Sequence, residues 1–171
     1  MGNKISSTAD KALWVCWEEP EILPEDITTI LSFLSPGKEE KLKEKFKGNL
    51  ISARQFAPQI KDKALNVYTS LIATVAATPI KEGKTLRQVL RNKGGVSLWW
   101  FNDISAKSCE NDLTFKFIIE VLIIASVCSM VKTKQIVFFG GYRELASALK
   151  GRYSIVEIQC RSKYNYSSLF I

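Results

Sequence analysis

Histidine is absent from this sequence of 171 residues. Its absence excludes a Ser-His-Asp or Cys-His nucleophile system, and it excludes any zinc site that uses an imidazole ligand. A general base that works near neutral pH must therefore be a carboxylate, or a lysine, cysteine or tyrosine with a shifted pKa. The sequence suggests no metal site.

Closely spaced cysteines are also absent. The four cysteines are spread along the chain without a CxxC pair: Cys16, Cys109, Cys128 and Cys160. All but Cys109 lie within apolar runs, which is typical of buried thiols in a reducing compartment and not of a disulfide framework. The polar start of the chain, residues 1–10, carries no secretory signal and is expected to be flexible. We therefore expect a cytoplasmic protein.

Long uncharged apolar runs are lacking as well. The most apolar stretch, residues 115–131, is interrupted by Lys116 and Glu120, so its uncharged part covers only residues 121–131. A membrane-spanning helix needs about 20 apolar residues. We interpret this stretch as a helix in the core of a soluble protein.

The chain does have an ordinary globular composition with an excess of positive charge. Hydrophobic residues make up 46%, charged residues 24%, and the net charge is +7. This length predicts a single domain over residues 1–171. Residues 132–163 hold seven basic and two acidic side chains, which suits an anionic partner such as a nucleotide or a phospholipid surface.

This basic end leaves open a peripheral position at the inner face of the membrane. The alternative is that the charge serves solubility alone. No RNP-type, zinc-finger or helix-turn-helix pattern accompanies it, so sequence-specific binding of nucleic acid is not expected.

The first half of the chain predicts mainly helices after one short β run at residues 13–17. Pro24 followed by two acids is typical of a helix start, and the apolar residues within 27–34 have helical spacing. Residues 38–47 predict a charged surface helix, and residues 60–77 predict a longer amphipathic helix. We therefore expect a helical N-terminal region.

The second half alternates strands with helices. A short helix at residues 85–93 precedes a strand, a long helix, a strand, a helix and a strand, at residues 96–101, 112–131, 135–139, 142–149 and 153–160. Continuous apolar strands that alternate with helices indicate a parallel sheet. The predicted fold is α/β: a Rossmann-like parallel sheet with helices on both faces, preceded by the helical N-terminal region.

Two predicted strand ends supply the candidate binding residues, because ligands of parallel α/β sheets bind beyond the carboxyl ends of the strands. The candidates are Asn102, Lys107, Gly140, Gly141, Tyr142 and Arg143. Glycines let a ligand approach the backbone, and an arginine offers several donors to an anion. The sequence contains neither GxGxxG nor GxxxxGK[ST], so no nucleotide motif supports the site. The alternative is that both glycines serve only the turn.

Three further residues near the first strand end are candidates for chemistry. Trp99 and Trp100 point to opposite faces of the predicted strand, so at least one of them covers a sheet face. Core packing is one interpretation of this pair, and a stacking platform for a sugar ring is the other. Asp103 is the carboxylate best placed to deprotonate an acceptor hydroxyl. A helix cap or a surface ion pair is the simpler explanation for Asp103.

Several blocks in the middle of the chain resemble one protein family. They are Thr85-Leu-Arg-Gln-Val-Leu90, Gly95-Val-Ser-Leu-Trp-Trp-Phe101, Ile104-Ser-Ala-Lys-Ser108 and the long apolar helix. They resemble the amino-terminal half of bacterial surface-carbohydrate (O-antigen or capsule) biosynthesis proteins, which are similar to GT-B glycosyltransferases. The similarity covers residues 13–160, and residues 97–101 are its specific part. The chain departs from the family pattern at Ala106, where an acidic residue is expected before Lys107.

The resemblance implies a two-domain enzyme in which this chain is the acceptor-side domain. The implied reaction transfers a sugar from a nucleotide donor to a growing surface glycan or its lipid carrier. The family's donor-nucleotide domain is expected after this chain, so the chain on its own is expected to be inactive and to hold no cofactor or metal. The alternative function is a non-catalytic α/β binding module whose basic face holds an anionic partner or a membrane surface.

Overall fold

The computed structural model describes residues 12–91 and 113–160. The strands are β1 (Leu13–Cys16), β2 (Thr29–Ser32), β3 (Asn49–Ser52), β4 (Pro79–Lys81), β5 (Lys84–Thr85), β6 (Gln135–Phe139) and β7 (Ser154–Ile158). The helices are α1 (Pro36–Lys45), α2 (Ala57–Ala77), α3 (Leu86–Val89), α4 (Leu113–Val131) and α5 (Arg143–Leu149), with a short 3-10 helix at Ala53–Gln55. The chain divides into two compact units, one of residues 1–58 and 123–171, the other of residues 59–122.

The first unit is built on a five-stranded sheet in which every strand pair is parallel. The strand order is β3-β2-β1-β6-β7, and β1 is central, because Leu13 pairs with Thr29 on one side and with Ile136 on the other. From β1 the chain extends the sheet outward through β2 and β3, and it later adds β6 and β7 on the opposite side. This reversal is the topological switch point of an open α/β sheet. The predicted α/β, Rossmann-like fold class is therefore confirmed.

Both faces of this sheet are buried. One face belongs to a cluster formed by β1, β2, α1 and their flanking residues: Cys16, Ile27, Ile30, Leu34, Leu42 and Phe46. Successive strand residues point to opposite faces, and the residues directed to the other face are also buried: Leu13, Val15, Leu31, Ile136 and Phe138. Burial on both sides explains why these strands are continuous apolar runs rather than alternating ones.

The N-terminal region differs from the helical one that the sequence predicted. Residues 27–34 contain the whole of β2 and no helix, and the next helix, α1, begins at Pro36. The apolar spacing was misleading because a strand buried on both faces does not need to alternate apolar with polar residues. The strand at Asn49–Ser52 was not predicted. The region therefore contributes three of the five strands, and the expectation of a helical N-terminal region was wrong.

The later elements follow the sequence prediction closely. The long helices predicted at residues 60–77 and 112–131 are α2 and α4, and the predicted charged helix is α1. The last strand-helix-strand prediction corresponds to β6, α5 and β7. The predicted strand at residues 96–101 lies outside the described residues.

The second unit contains most of α2, a hairpin, the short helix α3 and the first half of α4. β4 and β5 are antiparallel and are joined by Glu82 and Gly83, both with positive φ (50° and 72°), as a two-residue hairpin turn requires. Thr85 then starts α3 with a capping box, in which its side chain accepts from the Gln88 backbone N–H and the Gln88 side chain accepts from the Thr85 N–H. These local signals explain the short helix predicted here.

One helix in the described part of the chain, α4, is long and apolar enough to cross a membrane by length and composition. Its mean hydropathy is 2.0 over the most apolar window, of which 33% is buried. The core helix of a water-soluble protein can have the same length and hydropathy, and the second half of α4 supplies four buried residues: Ile123, Ile124, Val127 and Cys128.

Cys16, at the end of β1, makes the stability of the first unit depend on pH. Its side chain is fully buried, and this burial raises the pKa of the thiol from 9.0 to about 12. Because only the unfolded chain releases this proton near pH 9, the contribution to stability is complete below pH 9 and is lost as the pH rises toward 12. Between pH 8 and pH 11 we expect the loss to reach about 3 kcal/mol in the free energy of unfolding, measured by urea denaturation under reducing conditions.

The matched control is Cys16→Ala, which removes the ionisable group and leaves only a small cavity. At pH 8 its free energy of unfolding should be lower than that of the wild type. Between pH 8 and pH 11 it should decline less steeply, and the difference in decline should equal the loss assigned to the thiol. Parallel pH profiles for the two proteins would show that the thiol is not buried in the native state.

Candidate functional site

The carboxyl ends of the five parallel strands lie along one edge of the sheet, which we call the carboxyl edge. The candidates after β6 lie at this edge: Gly140, Gly141, Tyr142 and Arg143. The remaining candidates lie outside the described residues: Trp99, Trp100, Asn102, Asp103 and Lys107. Catalysis by Asp103 and sugar stacking by either tryptophan therefore stay predictions.

Trp17, which sequence reasoning did not single out, lies at the switch point. It directly follows β1, and its backbone N–H donates to the carbonyl oxygen of Phe139 at 3.1 Å. Its ring stacks on Phe33, with 5.0 Å between centroids and 3° between planes, and contacts Phe138 edge-on at 5.1 Å. The indole Nε1 is buried and has no hydrogen-bond partner within the described residues. Trp17 thus covers part of the position where open α/β sheets bind their ligands.

The Gly140-Gly141 pair is required by the packing around Trp17. Both residues have positive φ, 70° and 76°, which side-chain-bearing residues rarely adopt. A Cβ added to Gly141 would lie 2.5 Å from the Trp17 ring, and one added to Gly140 would lie 2.9 Å from Cγ of Glu18. The turn and these contacts account for both glycines without a ligand, so ligand contact at the pair stays a prediction.

A groove of about 510 Å³ lies at the carboxyl edge beside β7. It is lined by one side of α5 and by the end of β7: Arg143, Ser147, Lys150, Glu157, Gln159 and Cys160. The spacing of four and three residues places the α5 residues on one helix face. Its volume falls within the range of small-molecule sites, about 300–1,000 Å³. We call this surface the basic groove.

Two contacts hold the lining of the basic groove in place. Lys150 Nζ lies 2.8 Å from Glu157 Oε1, and the Cys160 thiol donates to the carbonyl oxygen of Gly140 at 3.0 Å. Burial, and next the Glu157 carboxylate, raise the pKa of the Cys160 thiol. The thiol is therefore protonated at neutral pH and serves as a donor rather than as a nucleophile.

A polar cluster joins α1 to the carboxyl ends of β2 and β3, which lie at the opposite end of the strand order from β7. Glu39 Oε2 accepts hydrogen bonds from Ser32 Oγ at 3.3 Å and from Ser52 Oγ at 3.1 Å, at the ends of β2 and β3. Arg54 pairs with the same oxygen at 3.0 Å. Both serines are buried, so their hydroxyls need this acceptor. The cluster therefore satisfies buried polar groups and fixes α1 against the sheet.

The carboxyl edge carries opposite charges in its two parts. The residues that directly follow β1 include three acids: Glu18, Glu19 and Glu21. One of them, Glu19, lies 2.7 Å from Lys45, and the hydrogen bond from this ammonium lowers the pKa of the Glu19 carboxyl. The basic groove holds Arg143 and Lys150 against one acid, Glu157. An anionic ligand is therefore favoured in the groove and disfavoured beside the acidic residues.

Sequence reasoning did not identify five residues that line the basic groove: Ser147, Lys150, Glu157, Gln159 and Cys160. A usable signal exists for Ser147 and Lys150, because they follow Arg143 at helical spacing. A second signal exists for Gln159 and Cys160, because they follow β7 and ligands bind beyond the carboxyl ends of parallel strands.

Metal binding has no support in the described ranges 12–91 and 113–160. No group of three or more cysteine, aspartate or glutamate side chains there could hold a metal ion.

Comparison with known proteins finds no matching family model, no matching curated protein and no matching solved structure.

Proposed function

We propose that this protein is the acceptor-side domain of a GT-B-like glycosyltransferase in bacterial surface polysaccharide biosynthesis. The observation that supports the proposal most is the parallel sheet of order β3-β2-β1-β6-β7, with its switch point between β1 and β6. A sheet of this kind binds ligands at the carboxyl ends of its strands. The block at residues 97–101 adds the resemblance to surface-carbohydrate proteins, which suggests that the ligand is a glycan.

In this proposal the acceptor glycan, or the lipid carrier that bears it, binds at the carboxyl edge. Trp99 or Trp100 stacks on a sugar ring, and Asn102 and Lys107 hydrogen-bond to its hydroxyls. Asp103 accepts the proton of the attacking hydroxyl while that oxygen forms its bond to the anomeric carbon of the donor sugar. The bond to the nucleoside diphosphate breaks in the same step, and the diphosphate leaves with the electron pair.

Turnover requires a nucleotide-sugar domain as a partner. A GT-B enzyme combines two Rossmann-like domains, and the described residues contain one parallel sheet. The proposal therefore assigns donor binding, and stabilisation of the leaving diphosphate by basic side chains, to a second domain. It includes neither a resident cofactor nor a metal, and it places the protein in the cytoplasm, peripheral to the inner face of the membrane.

Isothermal titration calorimetry on the full chain tests this proposal. A lipid-linked oligosaccharide in detergent micelles should bind, and its binding should depend on one of the two tryptophans. One of the variants Trp99→Ala and Trp100→Ala should weaken glycan binding about tenfold through the lost stacking. Asp103→Ala should bind the glycan nearly as well as the wild type, since a general base acts in the transition state.

Two results would argue against the acceptor-side assignment. The first is transfer of sugar by the purified chain that Asp103→Ala abolishes, because a complete enzyme would then reside in this chain. The second is tight binding of the nucleotide sugar without any binding of the glycan.

A second candidate function has one observation in its favour, the basic groove with its two cations. A non-catalytic module that holds an anionic partner needs this groove and does not need Asp103. The same titration distinguishes the two functions, because binding to such a module depends on Arg143 and not on Trp99 or Trp100.

A further inference from the structure

We propose that the basic groove between α5 and the end of β7 binds the phosphate group of a phosphate ester. The ester is either a soluble small molecule or a lipid headgroup, since both present the same phosphate oxygens. The inference does not depend on the glycosyltransferase proposal, whose named residues are Trp99, Trp100, Asn102, Asp103 and Lys107. Loss of binding in Arg143→Gln tests the groove, and loss of binding in the tryptophan variants tests the glycosyltransferase proposal.

Arg143 is the residue that points to an anion. It is exposed in the first turn of α5, and it forms no ion pair with any acid in the described parts of the chain. A cation in the first turn of a helix is unfavourable, because it lies at the positive end of the helix dipole. The charge therefore does not stabilise the helix. A phosphate in the groove would accept two parallel hydrogen bonds from the guanidinium.

Lys150 and Ser147 supply further donors on the same helix face. The ammonium of Lys150 is held at the groove by Glu157, 2.8 Å away, instead of moving freely in solvent. Ser147 lies between Arg143 and Lys150 in the sequence and adds a hydroxyl donor. Two cations against one acid give the lining a net charge of +1, and the protonated Cys160 thiol adds no negative charge.

The groove has room for an ester as well as for a bare phosphate ion. Its volume of about 510 Å³ leaves room beyond one phosphate for a group the size of a sugar or nucleoside. Gln159, just after β7, adds a side-chain amide to the lining.

Calorimetric titration of the full chain with glucose 1-phosphate tests this inference, with glucose as the uncharged control. We expect glucose 1-phosphate to bind and glucose not to bind. Arg143→Gln should weaken the binding about tenfold, since it removes a charge-assisted contact. Arg152→Gln removes the same charge just after α5, outside the groove lining, and should change the affinity less than about twofold. Both variants should fold, which circular dichroism checks, because neither side chain is buried.

Flotation with phosphatidylcholine vesicles that contain phosphatidic acid distinguishes a lipid headgroup from a soluble ester. One outcome is that the protein binds the vesicles, loses this binding in Arg143→Gln but not in Arg152→Gln, and does not bind glucose 1-phosphate. That result supports the phosphate site and assigns it to a lipid. Binding of glucose 1-phosphate with the same dependence on the two variants assigns it to a soluble ester. The inference is overturned if neither probe binds, or if both variants weaken binding equally, because net charge alone would then explain the effect.

Discussion

Gly141→Ala is expected to lower the free energy of unfolding by about 3 kcal/mol. The left-handed backbone of Gly141, with φ of 76°, costs a residue with a Cβ about 1–2 kcal/mol. The remainder comes from the Trp17 ring, which lies 2.5 Å from the position of the added Cβ and is stacked on Phe33. Urea denaturation followed by circular dichroism measures the loss.

Two controls separate these contributions. Gly151→Ala lies in the same unit, where the added Cβ meets no atom within 4 Å and φ is not positive, so it should be nearly neutral. In a Trp17→Leu background, Gly141→Ala should cost only the backbone strain of about 1 kcal/mol. A full loss of 3 kcal/mol in that background would show that Trp17 is not what excludes a side chain at position 141.

Phe138→Ala is expected to lower the free energy of unfolding by about 4 kcal/mol, the largest effect of any single substitution proposed for this chain. Phe138 lies in β6, beside the central strand, and is fully buried. Its ring also supports Trp17 edge-on at 5.1 Å, so its removal leaves a cavity beneath the switch point. The same urea denaturation measures the change.

The conservative control is Phe138→Leu, which keeps most of the buried volume and should cost about 1 kcal/mol. Val156→Ala offers a second comparison, because Val156 is 55% exposed in β7 and its truncation should change stability by less than about 0.5 kcal/mol. Equal effects of Phe138→Ala and Val156→Ala would mean that the sheet does not form the core of the first unit.

The fold could be predicted from the sequence where local signals and tertiary packing agree. The amphipathic period of α2, the capping box at Thr85 and the alternation of β6, α5 and β7 all identify their elements correctly. Residues 27–34 were interpreted as a helix because their apolar spacing satisfies helical periodicity. The strand forms instead because β1 and β3 pair with it on both sides, and that pairing is a long-range property.

The candidate site could be predicted only at its strand ends. Parallel strands place their carboxyl ends at one edge, so the turn after β6 and the cation of Arg143 were accessible to sequence reasoning. The closeness of Gly141 to Trp17 could not be predicted from the sequence. The two positions are far apart in the chain, and the pairing of β1 with β6 brings them together. In the sequence, the glycine pair suggests that a ligand binds there. In the structure, this packing requires both glycines.

The claim that the carboxyl edge binds the acceptor is tested most directly by hydrogen–deuterium exchange of the full chain. The measurement compares exchange with and without a lipid-linked oligosaccharide. We expect slower exchange with the oligosaccharide in the peptides that cover residues 96–107 and 140–143, and no change in α2. Protection confined to α2 or to the β4–β5 hairpin, with the carboxyl edge unchanged, would contradict the claim.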